Sequence, residues 1–226
     1  MIASKLKIVG VVLIAASLGI PAIAFSQDAT DFRPAEVVSV GDLTRPYRSI
    51  AFGTVVLDVL LSETGEVKDI QVRRAIASVT DVAVKAVKSW TFKPAELDDN
   101  AVPSRITVAV TFNPQAVNFP HVLLTPLLHQ DDEVRIQSAF QPPEVIRATF
   151  PIITALNAGD AILEATVDET GKVQATKILR ELTANTDVAV QAAEEWKFIP
   201  ATLNGRPMKA KVVLAFVFPP AITNNN

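Results

Sequence analysis

Apolar residues recur at two different periods along the first half of this chain. In Thr54-Val55-Val56-Leu57-Asp58-Val59-Leu60-Leu61 the residues Val55, Leu57, Val59 and Leu61 share one face at period two, and branched side chains dominate. Ser62-Glu63-Thr64-Gly65 then supplies a glycine suited to positive φ, and a second strand is predicted from Val67 to Arg73, closing a hairpin. After Thr80 the period lengthens: Ala83, Ala86, Val87 and Trp90 fall at i, i+3, i+4 and i+7, the stripe of an amphipathic helix. Thr80 is the expected N-cap, Asp81 sits in the first turn, and Lys85 and Lys88 point to solvent. Pro94 stops the helix. A third alternating strand follows, with Ile106, Val108, Val110 and Phe112 on its inner face.

The same pattern then returns. Ala161, Leu163, Ala165 and Val167, the turn glycine Gly171, the stripe Ala189, Ala192, Ala193 and Trp196, the stop Pro200, and Val212, Leu214, Phe216 and Phe218 repeat it at a constant period of 106 residues. Roughly a third of the paired positions are identical, so one module has been duplicated. The predicted fold class is α+β: two tandem small domains, each a ββαβ unit whose helix packs on one face of a three-stranded sheet. A hairpin followed by a right-handed crossover gives the order 2-1-3, which leaves strands two and three as edges. The first domain is placed at 27–114, a connector at 115–140 and the second domain at 141–220, with 221–226 an expected disordered tail. Val56 and Leu60, and Ile162, Val213 and Val217, make the sheet faces away from the helices more apolar than solvent requires. The two modules are therefore expected to cover each other, or the connector to cover one of them. The Val122-Leu123-Leu124 and Leu127-Leu128 groups mark that connector as a segment that packs.

The amino terminus changes the setting. Lys5 and Lys7 precede an apolar run from Ile8 to Ile20, then Pro21 and Ala22-Ile23-Ala24, the pattern of a secretory signal peptide over 1–26, cut after Ala24 or after Ser26. A retained anchor is the alternative, since about 18 apolar-biased residues just span a bilayer. Either way the rest of the chain is expected to be exported to the periplasm.

Composition removes several function classes. The 226 residues carry a net charge of −3, which gives no electrostatic footprint for nucleic acid. There is no cysteine, hence neither disulfide nor thiolate metal site. His121 and His129, with Asp131-Asp132-Glu133 nearby, read as a solvated loop rather than a metal site. Asp58 and Glu164 occupy matching strand positions and are expected to be exposed; Arg73-Arg74 and Arg180 mark solvent-facing strand ends. No hydrolase elbow, phosphate loop or dinucleotide fingerprint is present, so neither enzymatic activity nor a cofactor is expected.

Gly53, Gly65, Asp81, Trp90, Phe92, Pro94 and Phe112, repeated as Gly159, Gly171, Asp187, Trp196, Phe198, Pro200 and Phe218, together with Phe150-Pro151, resemble the C-terminal domain of the TonB family of energy transducers. That resemblance implies a periplasmic domain that pairs an edge strand with a short peptide of an outer-membrane transporter. Carried over, it makes the third strands the candidate binding edges: Arg105, Thr107, Val108, Ala109 and Thr111 in the first module, Lys211, Val213, Leu214, Ala215 and Val217 in the second. Both tryptophans are expected in the core. The implied partners are envelope proteins, transporter peptides among them; the alternative role is an inner-membrane-anchored energy transducer or its accessory.

Overall fold

A computed structural model describes residues 31–43, 46, 49–114, 121–123, 139–152 and 157–220. The expected signal segment, most of the connector and the tail lie outside the described residues. The first half runs β1 (Phe32–Arg33), β2 (Glu36–Ser39), β3 (Gly53–Leu61), β4 (Val67–Arg74), α1 (Thr80–Val87), β5 (Thr91–Lys93), β6 (Ala95–Leu97), β7 (Asn100–Val102) and β8 (Ser104–Phe112). After β9 (His121–Leu123) the second half repeats that order as β10 (Phe140–Gln141), β11 (Glu144–Thr149), β12 (Gly159–Val167), β13 (Val173–Arg180), α2 (Thr186–Glu194), β14 (Lys197–Ile199), β15 (Ala201–Leu203), β16 (Arg206–Met208) and β17 (Ala210–Phe218). The described chain is mostly β with two helices in two related halves, an α+β architecture.

Local chemistry accounts for the elements. Gly65 and Gly171 sit at φ +82° and +80°, where a side chain is strained, and each closes its hairpin turn. In the first turn the Gly65 N–H donates to the Ser62 carbonyl at 3.0 Å; in the second Asp168 Oδ1 accepts from the N–H groups of Thr170 and Lys172 at 2.9 and 3.0 Å. The helices start differently from the sequence expectation. Val79 and Asn185, not Thr80 and Thr186, occupy the N-cap positions, and neither makes a side-chain cap bond. Being inside the helix, Thr80 reaches backward: its hydroxyl accepts from the Ile76 N–H at 2.7 Å and donates to the Ile76 carbonyl at 2.9 Å. Thr186 clips Leu182 in the same way. The threonines staple the preceding turn instead of capping the helix.

The larger correction concerns the sheet. Two separate sheets were expected; one continuous six-stranded sheet is formed, in the order β4-β3-β8-β17-β12-β13. Its centre is a parallel seam in which β8 pairs with β17, from Thr107 beside Val212 to Phe112 beside Val217. The ten third-strand residues expected on binding edges, Arg105, Thr107, Val108, Ala109 and Thr111 with Lys211, Val213, Leu214, Ala215 and Val217, therefore lie in the middle of the sheet. The physical reason is that β8 and β17 are apolar on both faces. After Arg105 and Lys211 every residue of these strands is buried, the profile of a strand covered on both sides.

The seam also decides where the helices go. Val213 pairs with Val108, one residue short of the repeat, and a one-residue shift reverses which face a strand residue points to. Equivalent residues of the halves thus face opposite sides. Ala83, Ala86 and Val87 of α1 pack with Val55, Leu57, Val59 and Val108, and the same cluster takes in Ile162, Val213, Ala215 and Val217 from the second half. On the other face Ala189, Ala192 and Ala193 of α2 pack with Leu163 and Leu214, joined by Val56 and Ala109 from the first half. Each half's apolar back face is covered by the other half.

The cover is supplied by the segments before β3 and β12. β2 pairs antiparallel with β5, and β11 with β14 and with β9, so the described part of the connector does pack. Across the approximate two-fold the equivalent rings Phe32 and Phe140 meet with centroids 4.8 Å apart. These arms extend the duplication beyond its apparent start: Phe32-Arg33-Pro34-Ala35-Glu36-Val37 returns as Phe140-Gln141-Pro142-Pro143-Glu144-Val145. Its offset is two residues longer than the main period.

Candidate functional site

The third-strand residues build the join between the halves. Thr107 Oγ1 donates to the Pro143 carbonyl of the second arm at 2.6 Å, and Thr111 shares a hydrogen bond with Thr54 at 2.9 Å. Val108, Ala109, Val213, Leu214, Ala215 and Val217 are core. Arg105 and Lys211, at equivalent positions, each serve a strand carboxylate. Arg105 Nη1 and Arg73 Nη2 both reach Asp58 Oδ2 at 2.9 Å. Lys211 Nζ reaches Glu164 Oε1 at 3.0 Å and Glu36 Oε1 at 2.5 Å.

Asp58 and Glu164 were expected in solvent but are 6% and 4% exposed. They are buried because the opposite arm lies over them, and their cations come with them. The extra methylene of Glu164 lets its second oxygen accept the Val37 N–H at 3.2 Å, fastening the first arm to the second half. Asp58 is shorter, and its Oδ1 has no hydrogen-bond partner among the described residues. Arg180 makes a second fastening, donating to Asp42 at 2.5 Å, to Asp160 at 3.1 Å and to the Val40 carbonyl at 3.0 Å. Burial pushes the Asp160 carboxyl up, and the opposing pull of Arg180 is not enough to reverse it.

These contacts carry a pH prediction. The Lys211 hydrogen bond holds the Glu36 carboxyl below its usual range; burial works against the Lys211 ammonium, yet its bonds to Glu36 and Glu164 leave its pKa raised. A depressed carboxyl contributes stability above its unfolded pKa and loses it as pH falls through the folded value. Glu36→Gln is therefore expected to lower the urea midpoint at pH 7, with the difference from wild type shrinking as pH falls below the ordinary carboxyl range. A difference of equal size above and below that range would assign the effect to packing instead.

With the third strands enclosed, the outer rims of the sheet are β4 and β13. Among the described residues each pairs on one side only, with β3 and with β12. Val72 and Ile178, at equivalent positions, are 42% and 43% exposed. Beside β4 a shallow groove runs toward α1, lined by Val67, Lys68, Asp69, Ile70, Val84 and Lys88. Such a rim can accept another extended chain through its unpaired N–H and C=O groups.

The glycine, phenylalanine and proline of the repeated motif meet behind each hairpin turn. A methyl group on Gly65 would run into the Phe92 carbonyl oxygen, with Pro94 Cδ at 3.3 Å; on Gly171 it would run into the Phe198 carbonyl, with Pro200 Cδ at 3.6 Å. The turn and the strand after the helix are thus in backbone contact, and the Phe198 N–H donates to the Gly171 carbonyl at 2.9 Å. Trp90 and Trp196 are both buried. Trp196 Nε1 donates to the Thr149 carbonyl at 3.0 Å and its ring stands edge-on to Phe216 at 6.1 Å. Trp90 Nε1 has no partner among the described residues.

His129 and Asp131-Asp132-Glu133 lie outside the described residues, and the His121 side chain is not described. Among the described residues no cluster of His, Cys, Asp or Glu is placed to hold a metal ion, and no helix is long and apolar enough to cross a membrane. Sequence reasoning missed Glu36, Asp42 and the two arms. The repeated Phe-x-Pro-x-Glu-Val was the signal that could have found the arms. The family described as Gram-negative bacterial TonB protein C-terminal matches residues 48–114 and again residues 154–220, together more than half of the chain. No curated protein and no solved structure matches it.

Proposed function

From the premise that this chain belongs to the TonB C-terminal family, with one family domain in each half, we propose that it is an exported, non-enzymatic interaction protein serving envelope transport. It binds extended segments of envelope proteins along the outer strands β4 and β13. The observation that carries this reading is the enclosure of both third strands in the central seam, which leaves the second strands as the rims able to add a chain. Backbone pairing at such a rim supplies affinity, and alternate side chains supply selectivity. The strand carboxylates Asp58 and Glu164 are committed to ion pairs inside the fold, which supports a binding rather than a catalytic role.

The test is site-specific photo-cross-linking in intact cells. A photo-reactive amino acid replaces Gln71 or Lys177 on the rims, or Asn204 at an exposed hairpin tip as control. The expected result is an adduct with an envelope protein from a rim position and none from the tip. Adducts from the tip alone would overturn the assignment. The alternative role, an anchored energy transducer or accessory, rests on the apolar run from Ile8 to Ile20. A mature amino terminus at Phe25 or Gln27 would exclude it.

A further inference from the structure

Arg180 and Lys211 of the second half are committed to carboxylates inside the fold. Arg147, Lys197 and Lys172 make no ion pair with a described residue, yet they stand side by side. Arg147 of β11 pairs with Lys197 of β14, and Lys197 bridges on its other side to Lys172. Directly opposed residues on antiparallel strands carry their side chains on one face with Cβ atoms about 5 Å apart, so the cations form a row about 10 Å long. That face is the outer one, because the next pair, Val145 with Phe198, points into the core. Like charges set directly opposite work against a sheet. The first half shows that the fold does not need them: Ser39, Thr91 and Glu66 hold the matching positions, and Ser39 and Thr91 share a hydrogen bond at 2.6 Å.

No described carboxylate closes on the row. Glu144 shares its face but stands opposite Ile199 and makes no ion pair with it. Asp168 feels Lys172 only weakly, and its Oδ1 is engaged by the N–H groups of Thr170 and Lys172 and by the Thr170 hydroxyl. Glu194 and Glu195 lie exposed at the end of α2, where the Glu195 carbonyl accepts from Arg147 Nη2 at 3.0 Å and steadies the guanidinium. We propose that the Arg147–Lys197–Lys172 row is a contact for the phosphate headgroups of an anionic bilayer. The row is carried on an open sheet face, with Lys172 exposed and Lys197 and Arg147 half-buried, which suits a planar array of anions better than one small anion needing a concave site. Ile199, 40% exposed and next along the same face of β14, sets an apolar side chain beside the charges, the combination that holds a segment at a lipid surface. The row lies at the hairpin-turn end of the six-stranded sheet, since Lys172 follows Gly171. The first arm starts from that end as well, β1 pairing with β6 beyond the Leu61–Ser104 pair that closes β3 and β8 there. Residues 1–30, with the apolar run from Ile8 to Ile20, thus join the described chain at the end of the molecule that carries the row.

The inference goes beyond the reading of the rims and does not rest on it, because it uses side chains on the face of the small β14-β11-β9 sheet. The test is co-sedimentation of the chain beginning at Gln27, which lacks the apolar run, with vesicles of phosphatidylglycerol and phosphatidylcholine in equal parts. Vesicles of phosphatidylcholine alone are the comparison. Binding is expected to the first and not to the second, and to weaken as salt is raised. Each cation near an anionic surface is worth about fivefold, so Arg147→Ser, Lys197→Thr and Lys172→Gln together are expected to cost about a hundredfold in affinity. Their urea midpoint is expected to stay at that of wild type, because the first half builds the same place from Ser39 and Thr91. Arg74→Gln, Lys85→Gln and Lys88→Gln remove as much charge elsewhere and are expected to leave binding nearly unchanged. Calorimetric titration with inorganic pyrophosphate separates a headgroup from a soluble phosphate, and no saturable binding is expected. Equal losses in the two variants, sedimentation with phosphatidylcholine alone, or pyrophosphate binding without vesicle binding would each overturn the proposal. Adducts from Gln71 or Lys177 in cells depend on none of these outcomes, so the two readings fail separately.

Discussion

Val213→Asp is expected to unfold the surroundings of both tryptophans together, although Val213 belongs to the second half by sequence. Val213 is fully buried, pairs with Val108 across the seam, and packs in the cluster built around α1 of the first half. A carboxylate there would stand beside Glu164, its cross-strand neighbour, whose cation Lys211 is already shared with Glu36. Burying it unpaired is expected to cost about 4 kcal/mol or more, a large part of the stability of a domain. Because the seam is shared, the loss falls on both cores. The measurement is urea unfolding followed in Trp90→Phe and Trp196→Phe backgrounds, so that each remaining tryptophan reports on its own half. Coincident transitions are expected before the substitution, and a coincident downward shift after it. A Trp90 transition left in place while that of Trp196 moves would show that the halves are thermodynamically separate despite the continuous sheet.

That expectation departs from the two independent modules read in the sequence, and the reason is specific. Period-two alternation located Val55 to Leu61 and Ile106 to Phe112 correctly as strands, because burial of one face suffices to set that pattern. The other face of the third strands, Ala109 and Thr111 and then Val213, Ala215 and Val217, carried the news that these strands are enclosed on both sides. A run apolar on both faces is the mark of an interior parallel strand, and the helix-side alternation drew attention away from it. Asp58 and Glu164 misled for a different reason. A carboxylate at a strand centre reads as solvent-facing unless its cation is known, and Arg105 and Lys211 become neighbours only once the third strand pairs with the first. The arms were hidden by a two-residue slip in the repeat and by strands of two to six residues, too short for any period to show. The rims had been recognised as strands two and three; the choice between them depended on a contact between halves that one module cannot reveal.

The repeated glycine was legible as a turn residue, but its greater role is contact, and that yields the second large effect. Gly171→Ala places a methyl group against the Phe198 carbonyl oxygen at a residue whose φ of +80° already disfavours a side chain. Neither the turn nor β14 can retreat cheaply, since the Phe198 N–H donates to the Gly171 carbonyl and Lys172 bridges to Lys197. The expected cost is about 3 kcal/mol, combining backbone strain with the displacement of a strand that leads into the core at Phe198. Gly65→Ala is expected to behave alike, because the Phe92 carbonyl stands in the same place. Gly205 separates the two causes. It lies at φ +77° with nothing within 4 Å of an added methyl, so Gly205→Ala bears strain alone, about 1 kcal/mol. Urea midpoints of the three variants decide the matter. Losses at Gly65 and Gly171 well beyond that at Gly205 assign the motif to the collision between turn and strand. Equal losses at all three would reduce the glycines to their backbone angles and leave the spacing from glycine to Phe-x-Pro without a structural cause.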